Sequence, residues 1–146
     1  MQSKKLFIAT IALFCLSTSA FATGDEANKK AENNLRNEYK NAENVQWKIT
    51  DSYIRASFYW NNQHLRVFYN KEGETIAEGR LIKETNLPLK AQRFIEENYA
   101  GYRITEAFEY TSDETGLCYY VSVTKENSKP KILQILPDGN VTLFRH

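Results

Sequence analysis

Cysteine is nearly absent. Of two in 146 residues, Cys15 lies in the apolar N-terminal stretch and Cys118 stands alone in the rest of the chain. One thiol cannot close an internal disulfide, so a disulfide-stapled scaffold is excluded. Histidine is equally scarce, with His64 and His146 the two present. No His or Cys pair has ligand spacing, so neither a metal site nor a cofactor is expected. No glycine-rich phosphate loop occurs. Charge of one sign is lacking as well. Residues 1–22 carry two lysines and no acid, and the remainder holds 17 basic against 18 acidic residues. That balance argues against nucleic acid or an anionic membrane as main partner.

Long apolar runs are missing too. Leu6 to Leu16 is apolar but too short to span a bilayer. Lys4 and Lys5 precede it and Ala20-Phe21-Ala22 follows, which together read as a secretory signal peptide over residues 1–22. Cys15 follows Phe14, where a lipoprotein signal wants a small residue, so no lipid anchor is expected. The expected product is residues 23–146, 124 residues long, the length of one domain. It is expected in the periplasm or secreted, as a monomer, without stable membrane insertion.

What is present is alternation. Asp25 to Ala42 reads as a helix with a thin stripe of Ala31, Leu35, Tyr39 and Ala42. The stretch ENVQWKITDSYIRASFYWNNQHLRVFY, residues 43–69, is then divided by two Asx turn signals, Asp51-Ser52 and Asn61-Asn62. Treated as two-residue loops, they set Ile49 opposite Ile54 and Trp47 opposite Ala56. They also set Phe58 opposite Leu65 and Ala56 opposite Val67. One register thus puts Val45, Trp47, Ile49, Ile54, Ala56, Phe58, Leu65, Val67 and Tyr69 on one side. A slip of one residue at either turn would scatter them.

A fourth strand is expected over Thr75 to Gly79, after a three-residue loop with Gly73 left-handed, and residues 80–86 read as a polar connection. Pro88 and Gly101 bracket a second helix with Leu87, Ala91, Phe94, Ile95 and Tyr99 on its apolar stripe. Four further strands follow within residues 104–144. Among them ILQIL, residues 132–136, is apolar on both faces and so is expected to be covered twice or to meet a partner. The order helix, four strands, helix, four strands predicts two tandem helix-plus-four-strand repeats, 25–79 and 87–146. The predicted class is α+β, an antiparallel sheet with helices packed on one face and the other face open.

This pattern resembles the β-lactamase-inhibitor-like, PepSY-like domains of bacterial envelope proteins. The residues that carry the resemblance are Val45 and Trp47, Leu87-Pro88, Tyr99 and Ile104, and the turn glycines Gly73 and Gly139. It covers nearly all of residues 23–146 and rests on apolar spacing, without a catalytic signature. It implies an exported α+β protein that works through its open sheet face. It carries over no inhibitory residue.

Chemistry has few candidates. Cys118 with His64 can be drawn as nucleophile and base, but neither sits in a cysteine-hydrolase context, and both read as ordinary strand and turn residues. Glu96-Glu97 and Asp113-Glu114 read as solvated charge. No catalytic residue is assigned and no enzyme is expected. The opposite face of the strands is distinctive: Lys48, Tyr53, Arg55, Tyr59, His64, Arg66 and Phe68 fall there, with Tyr120 later in the chain. Lys48 opposes Arg55 in this register, and like charges opposed on a sheet are unfavourable. Arg and Tyr are also enriched at interface hot spots. These eight residues are the candidate partner-binding set, for an envelope protein, with a protease or other hydrolase as the kind of enzyme it would restrain. Two other readings stand beside it. One is a small-ligand or peptide sensor that uses the same aromatics. The other is an ordinary wet face, with Glu78 beside Arg66 softening the charge.

Overall fold

A computed structural model describes residues 26–145. The expected signal peptide, Cys15 and His146 lie outside the described residues. The chain runs α1 (Glu26–Glu38), β1 (Glu43–Ile49), β2 (Ile54–Trp60), β3 (Gln63–Tyr69) and β4 (Thr75–Ile82). A 3-10 turn (Glu84–Asn86) and α2 (Leu89–Asn98) follow, then β5 (Arg103–Ser112), β6 (Gly116–Thr124), β7 (Lys131–Ile135) and β8 (Val141–Arg145). No helix among the described residues is long and apolar enough to cross a membrane.

The expected two-repeat α+β arrangement does not hold. All eight strands form one antiparallel sheet in chain order, β1 to β8, and two helices of 13 and 10 residues pack on it. The fold is largely β. The physical reason lies at Arg80-Leu81-Ile82. These residues continue β4 where a polar connection was expected. Leu81 pairs with Phe108 and Ile82 with Ala107 on β5. Hydrogen bonding therefore runs without a seam through the middle of the sheet.

From Gln46 onward the pairing of β1, β2 and β3 is that of the sequence reading, while the expected pairing of Val45 with Phe58 is lost to a register shift between Glu43 and Gln46. Trp47 faces Ala56, Ile49 faces Ile54, Phe58 faces Leu65, Ala56 faces Val67 and Ile54 faces Tyr69. Asn61 and Asn62 both have positive φ, 49° and 61°, the conformation a tight two-residue hairpin turn needs. A bulge between Glu43 and Gln46 breaks the start of β1, with Asn44 left-handed at φ 53°. After β3, Asn70 closes the turn by donating its backbone N–H to Glu74, and Gly73 is left-handed at φ 77°. A Cβ on Gly73 would stand 2.7 Å from the carbonyl oxygen of Ala27, so this turn seats directly on α1.

The helix-covered face holds two clusters. Under α1, Ala31 and Leu35 meet Ile54, Ala56, Phe58, Val67 and Tyr69. Tyr39, just past α1, lies edge-on to Phe58 at 5.0 Å and Trp60 at 5.5 Å. Under α2, Leu87, Ala91 and Ile95 meet Ala107, Val121, Val123, Leu133 and Ile135. Phe94 leaves the expected stripe and is exposed, because 87, 91 and 95 recur at four residues and 94 falls beside them. Phe58 is fully buried among aromatic and aliphatic neighbours. Phe58→Ala should cost about 3–5 kcal/mol. A chemical denaturation midpoint that does not move would remove this packing.

Candidate functional site: the sheet face without helices

The second face of the sheet is not open. Neither helix contributes to it, yet Tyr53, Phe68, Ala77, Phe108, Tyr110, Cys118, Tyr120 and Ile132 form a third buried cluster there. A sheet of this many strands twists by roughly 20–25° per strand and curls one face inward. On that inward face large side chains bury one another. The rings meet in a chain of edge-on contacts: Tyr53 to Phe68 at 5.6 Å, Phe68 to Tyr110 at 6.0 Å, Tyr110 to Tyr120 at 5.7 Å, and Tyr120 to Phe144 at 5.1 Å. Each such pair is worth about 0.5–1.5 kcal/mol beyond the area it buries. Ile132 joins this cluster while Leu133 and Ile135 join the α2 cluster, so the two-sided apolar strand is covered by the chain itself up to Ile135, and Leu136 is left exposed.

The candidate partner-binding residues therefore separate. Tyr53, Phe68 and Tyr120 are 3%, 5% and 1% exposed. They are core, which corrects the expectation that they project into solvent. Parity gave their side of the sheet correctly; the ring stacking removes them from the surface. Burial also raises the pKa values of Tyr53 and Tyr120, and it pushes the Tyr110 phenol up to about 12.

Arg66 is not a free surface charge either. Its guanidinium donates to both Glu106 oxygens, Nη1 to Oε1 at 2.8 Å and Nη2 to Oε2 at 3.1 Å. The two side chains are 12% and 24% exposed, and the Arg66 guanidinium lies 5.3 Å from the Phe108 ring centre. Glu78 is not its partner. The register sets Glu78 opposite Val67, on the helix side, where it accepts a hydrogen bond from the Tyr39 hydroxyl. Gly79 makes the room: a Cβ there would stand 2.7 Å from Phe108 Cζ and 2.1 Å from the carbonyl oxygen of Glu109. Glu106 and Gly79 were missed in the sequence. The pair Arg66–Glu106 spans 40 positions, and the only local signal is that Glu106 has the same strand parity as Phe108 and Tyr110.

Four candidates remain at or near the surface: Lys48, Arg55, Tyr59 and His64. Tyr59 is 48% exposed and stacks on His64 with ring centres 4.8 Å apart and planes at 15°. Both flank the Asn61-Asn62 turn. Arg55 opposes Lys48 on one side and Phe68 on the other. It makes no ion pair among the described residues, and its Nε is buried without a hydrogen-bond partner. The Oγ of Ser57, two residues along β2 and opposite Arg66, is buried and unpartnered too. Burial, then the neighbouring Arg66 charge, lowers the Arg55 pKa; burial, then Arg55, lowers that of Lys48. Burial and Arg66 also lower that of His64.

Catalytic geometry is not assembled. Cys118 is buried on β6 and His64 lies on β3, with β4 and β5 between them. Three strand spacings separate them by roughly 14 Å along the sheet, far from hydrogen-bond reach. Among the described residues no group of three His, Cys, Asp or Glu could hold a metal ion. A cavity of about 310 Å³ lies at the other side, between α1 and β1, lined by Leu35, Tyr39, Val45 and Trp47 with Glu32 and Arg36 at its rim.

No family model matches the sequence, and no curated protein does. Solved structures match the fold. A DUF2874 family protein from Bacteroides uniformis superposes with a TM-score of 0.67 at 16% identity, over 77% of this chain and 83% of that one. A BLIP-like protein from Bacteroides fragilis does so at 0.62 and 17%, over 78% and 82%. A predicted periplasmic protein from Bacteroides eggerthii gives 0.68 and 16%, over 77% and 83%. The resemblance read from the sequence stands at the level of the BLIP-like fold; none of the three is described as PepSY-like.

Two outcomes follow from this electrostatics. Glu106→Gln leaves Arg66 with a neutral partner and should cost about 2–3 kcal/mol. That is less than the 3–5 kcal/mol of a fully buried pair, because part of Glu106 still meets water. An unchanged urea midpoint would mean the pair contributes nothing. His64 resists protonation in the folded state, so the unfolded chain binds more protons below its ordinary value near 6.5. Stability should therefore fall as pH drops from about 7.5 to 5. Replacement by His64→Asn should flatten that slope in melting curves, with His146 intact in both proteins. An equal slope in the two would assign it to other groups.

Proposed function

We propose that the chain is an exported, non-enzymatic binding module of the periplasm, and that it docks an envelope protein through the turn-proximal rim of its basic sheet face. The observation that carries this reading is the Tyr59–His64 stack. Half of Tyr59 is exposed at the end of a hairpin, on the face that carries Arg55 and Lys48 about 13 Å further along β2. A ring held by a stacked neighbour loses little rotamer freedom on binding, and Tyr with Arg is the usual composition of an interface anchor. The fold likeness to a BLIP-like protein and to a predicted periplasmic protein supports both the role and the compartment. By the same analogy the partner is an enzyme that the module restrains.

The ligand-sensor reading is less well supported. The aromatics it relied on, Tyr53, Phe68 and Tyr120, pack against one another. Protein docking needs only the rim.

The test is capture from an envelope fraction by the immobilised protein. Tyr59→Ala combined with His64→Ala should lose the captured partner and leave the melting temperature within a few degrees, since the pair is largely outside the core. Retention of the same partner at the same yield would show that this rim does not dock it.

A further inference from the structure

The basic face carries two cations, Lys48 and Arg55, that make no ion pair among the described residues. Arg66 and Arg55 lie on the same face of adjacent strands and feel each other's charge. Arg66 spends its fork on both oxygens of Glu106. Glu106 also acts on Arg55 through space, but both its oxygens already accept from Arg66. Arg55 is left with Lys48 opposite it and no ion pair among the described residues; its Nε is buried, like that of Arg66, so its Nη groups are what it can offer to an incoming acid. The guanidinium fork matches a carboxylate in bidentate geometry.

We infer that Arg55, with Ser57 and Lys48 beside it, is a receptor for a single carboxylate, supplied by an Asp or Glu side chain of the docked protein. This deepens the docking reading and rests on it for the source of the carboxylate. Charge complementarity selects the occupant. Lys48, Arg55 and Arg66 gather on this part of the face with Glu106 as their one paired acid, so an acidic side chain is attracted and a basic one is repelled. The half-buried setting strengthens a carboxylate–guanidinium pair relative to an exposed one.

The probe is the capped tripeptide acetyl-Gly-Glu-Gly-amide, with acetyl-Gly-Gln-Gly-amide as its uncharged match. The readout is the arginine Nε–H resonance of Arg55 by NMR, with exposed Arg93 as the baseline. The Glu peptide should shift Arg55 saturably and at least tenfold more tightly than the Gln peptide. Arg93 should move little. In Arg55→Met, followed at the backbone amides of Lys48 and Ser57, the peptide response seen there in the unmutated protein should vanish while the rest of the amide spectrum stays folded. Equal response to the two peptides, a response at Arg93 as large as at Arg55, or a response that survives in Arg55→Met would each overturn the inference. An equal effect of inorganic phosphate at matched ionic strength would overturn it as well, since the site would then take any anion. The peptide needs no captured partner. If it fails while Tyr59 and His64 still govern capture, the carboxylate receptor falls and the docking rim stands. If the peptide binds and capture is indifferent to that rim, the receptor stands and the docking reading falls.

Discussion

The turn at Asn61-Asn62 sets which side every later side chain takes. Two consecutive residues there hold positive φ, which L-residues other than Asn, Asp and Gly adopt at a cost. That backbone admits a loop of two residues and no other length without rebuilding. Phe58 is then held opposite Leu65, and Val67 and Tyr69 fall beneath α1. In a sheet whose strands follow chain order, each strand takes its register from the one before. A slip of one residue here would turn Phe58 and Val67 toward the basic face and carry Arg55 and Arg66 under the helix. Both the core and the candidate site hang on this hairpin.

The next constraint is a missing side chain. Gly79 stands between Arg66 and Tyr110 in the pairing of β3, β4 and β5. Phe108 occupies the space a Cβ would need, and Arg66 lies over that ring on its way to Glu106. The strand that merges the two halves of the sheet is thus also the strand low enough to be crossed. A charged pair can then sit among aromatic rings, because the ring faces attract the guanidinium and both carboxylate oxygens accept from it. The charge of Arg66 is neutralised within the chain, and that of Lys48 and Arg55 is left.

Much of this was legible from residues alone. Asx pairs announce loop length, loop length sets parity, and parity assigned all nine core positions of the first three strands. Gly73 announced its three-residue loop in the same way. Depth was not legible. Tyr53, Phe68 and Tyr120 alternate with charged residues and so read as a wet face, whereas the curl of the sheet stacks them into a core. Continuity was not legible either. Arg80-Leu81-Ile82 looks like a link because Lys83, Glu84 and Thr85 follow it, and its partner Ala107-Phe108 lies far along the chain. Glu106 illustrates the general limit. An ion pair closed over 40 positions leaves no periodic trace at either end.

On the proposed reading, the two arginines would let one face serve both stability and recognition. Arg66 is paired through its two Nη groups, and they tie β3 to β5 across β4. Arg55 has the same parity and a similar setting but no acceptor. A cation already stripped of part of its water has less desolvation left to undergo when a carboxylate arrives. It also sits on a strand clamped between β1 and β3, so binding has little backbone motion to freeze. The cost of keeping Arg55 poised falls on the free protein, whose rings and Arg66–Glu106 pair hold the surrounding face in place. If Arg55 docks an acid as proposed, stability and recognition are opposed there, whereas Arg66 serves stability through Glu106.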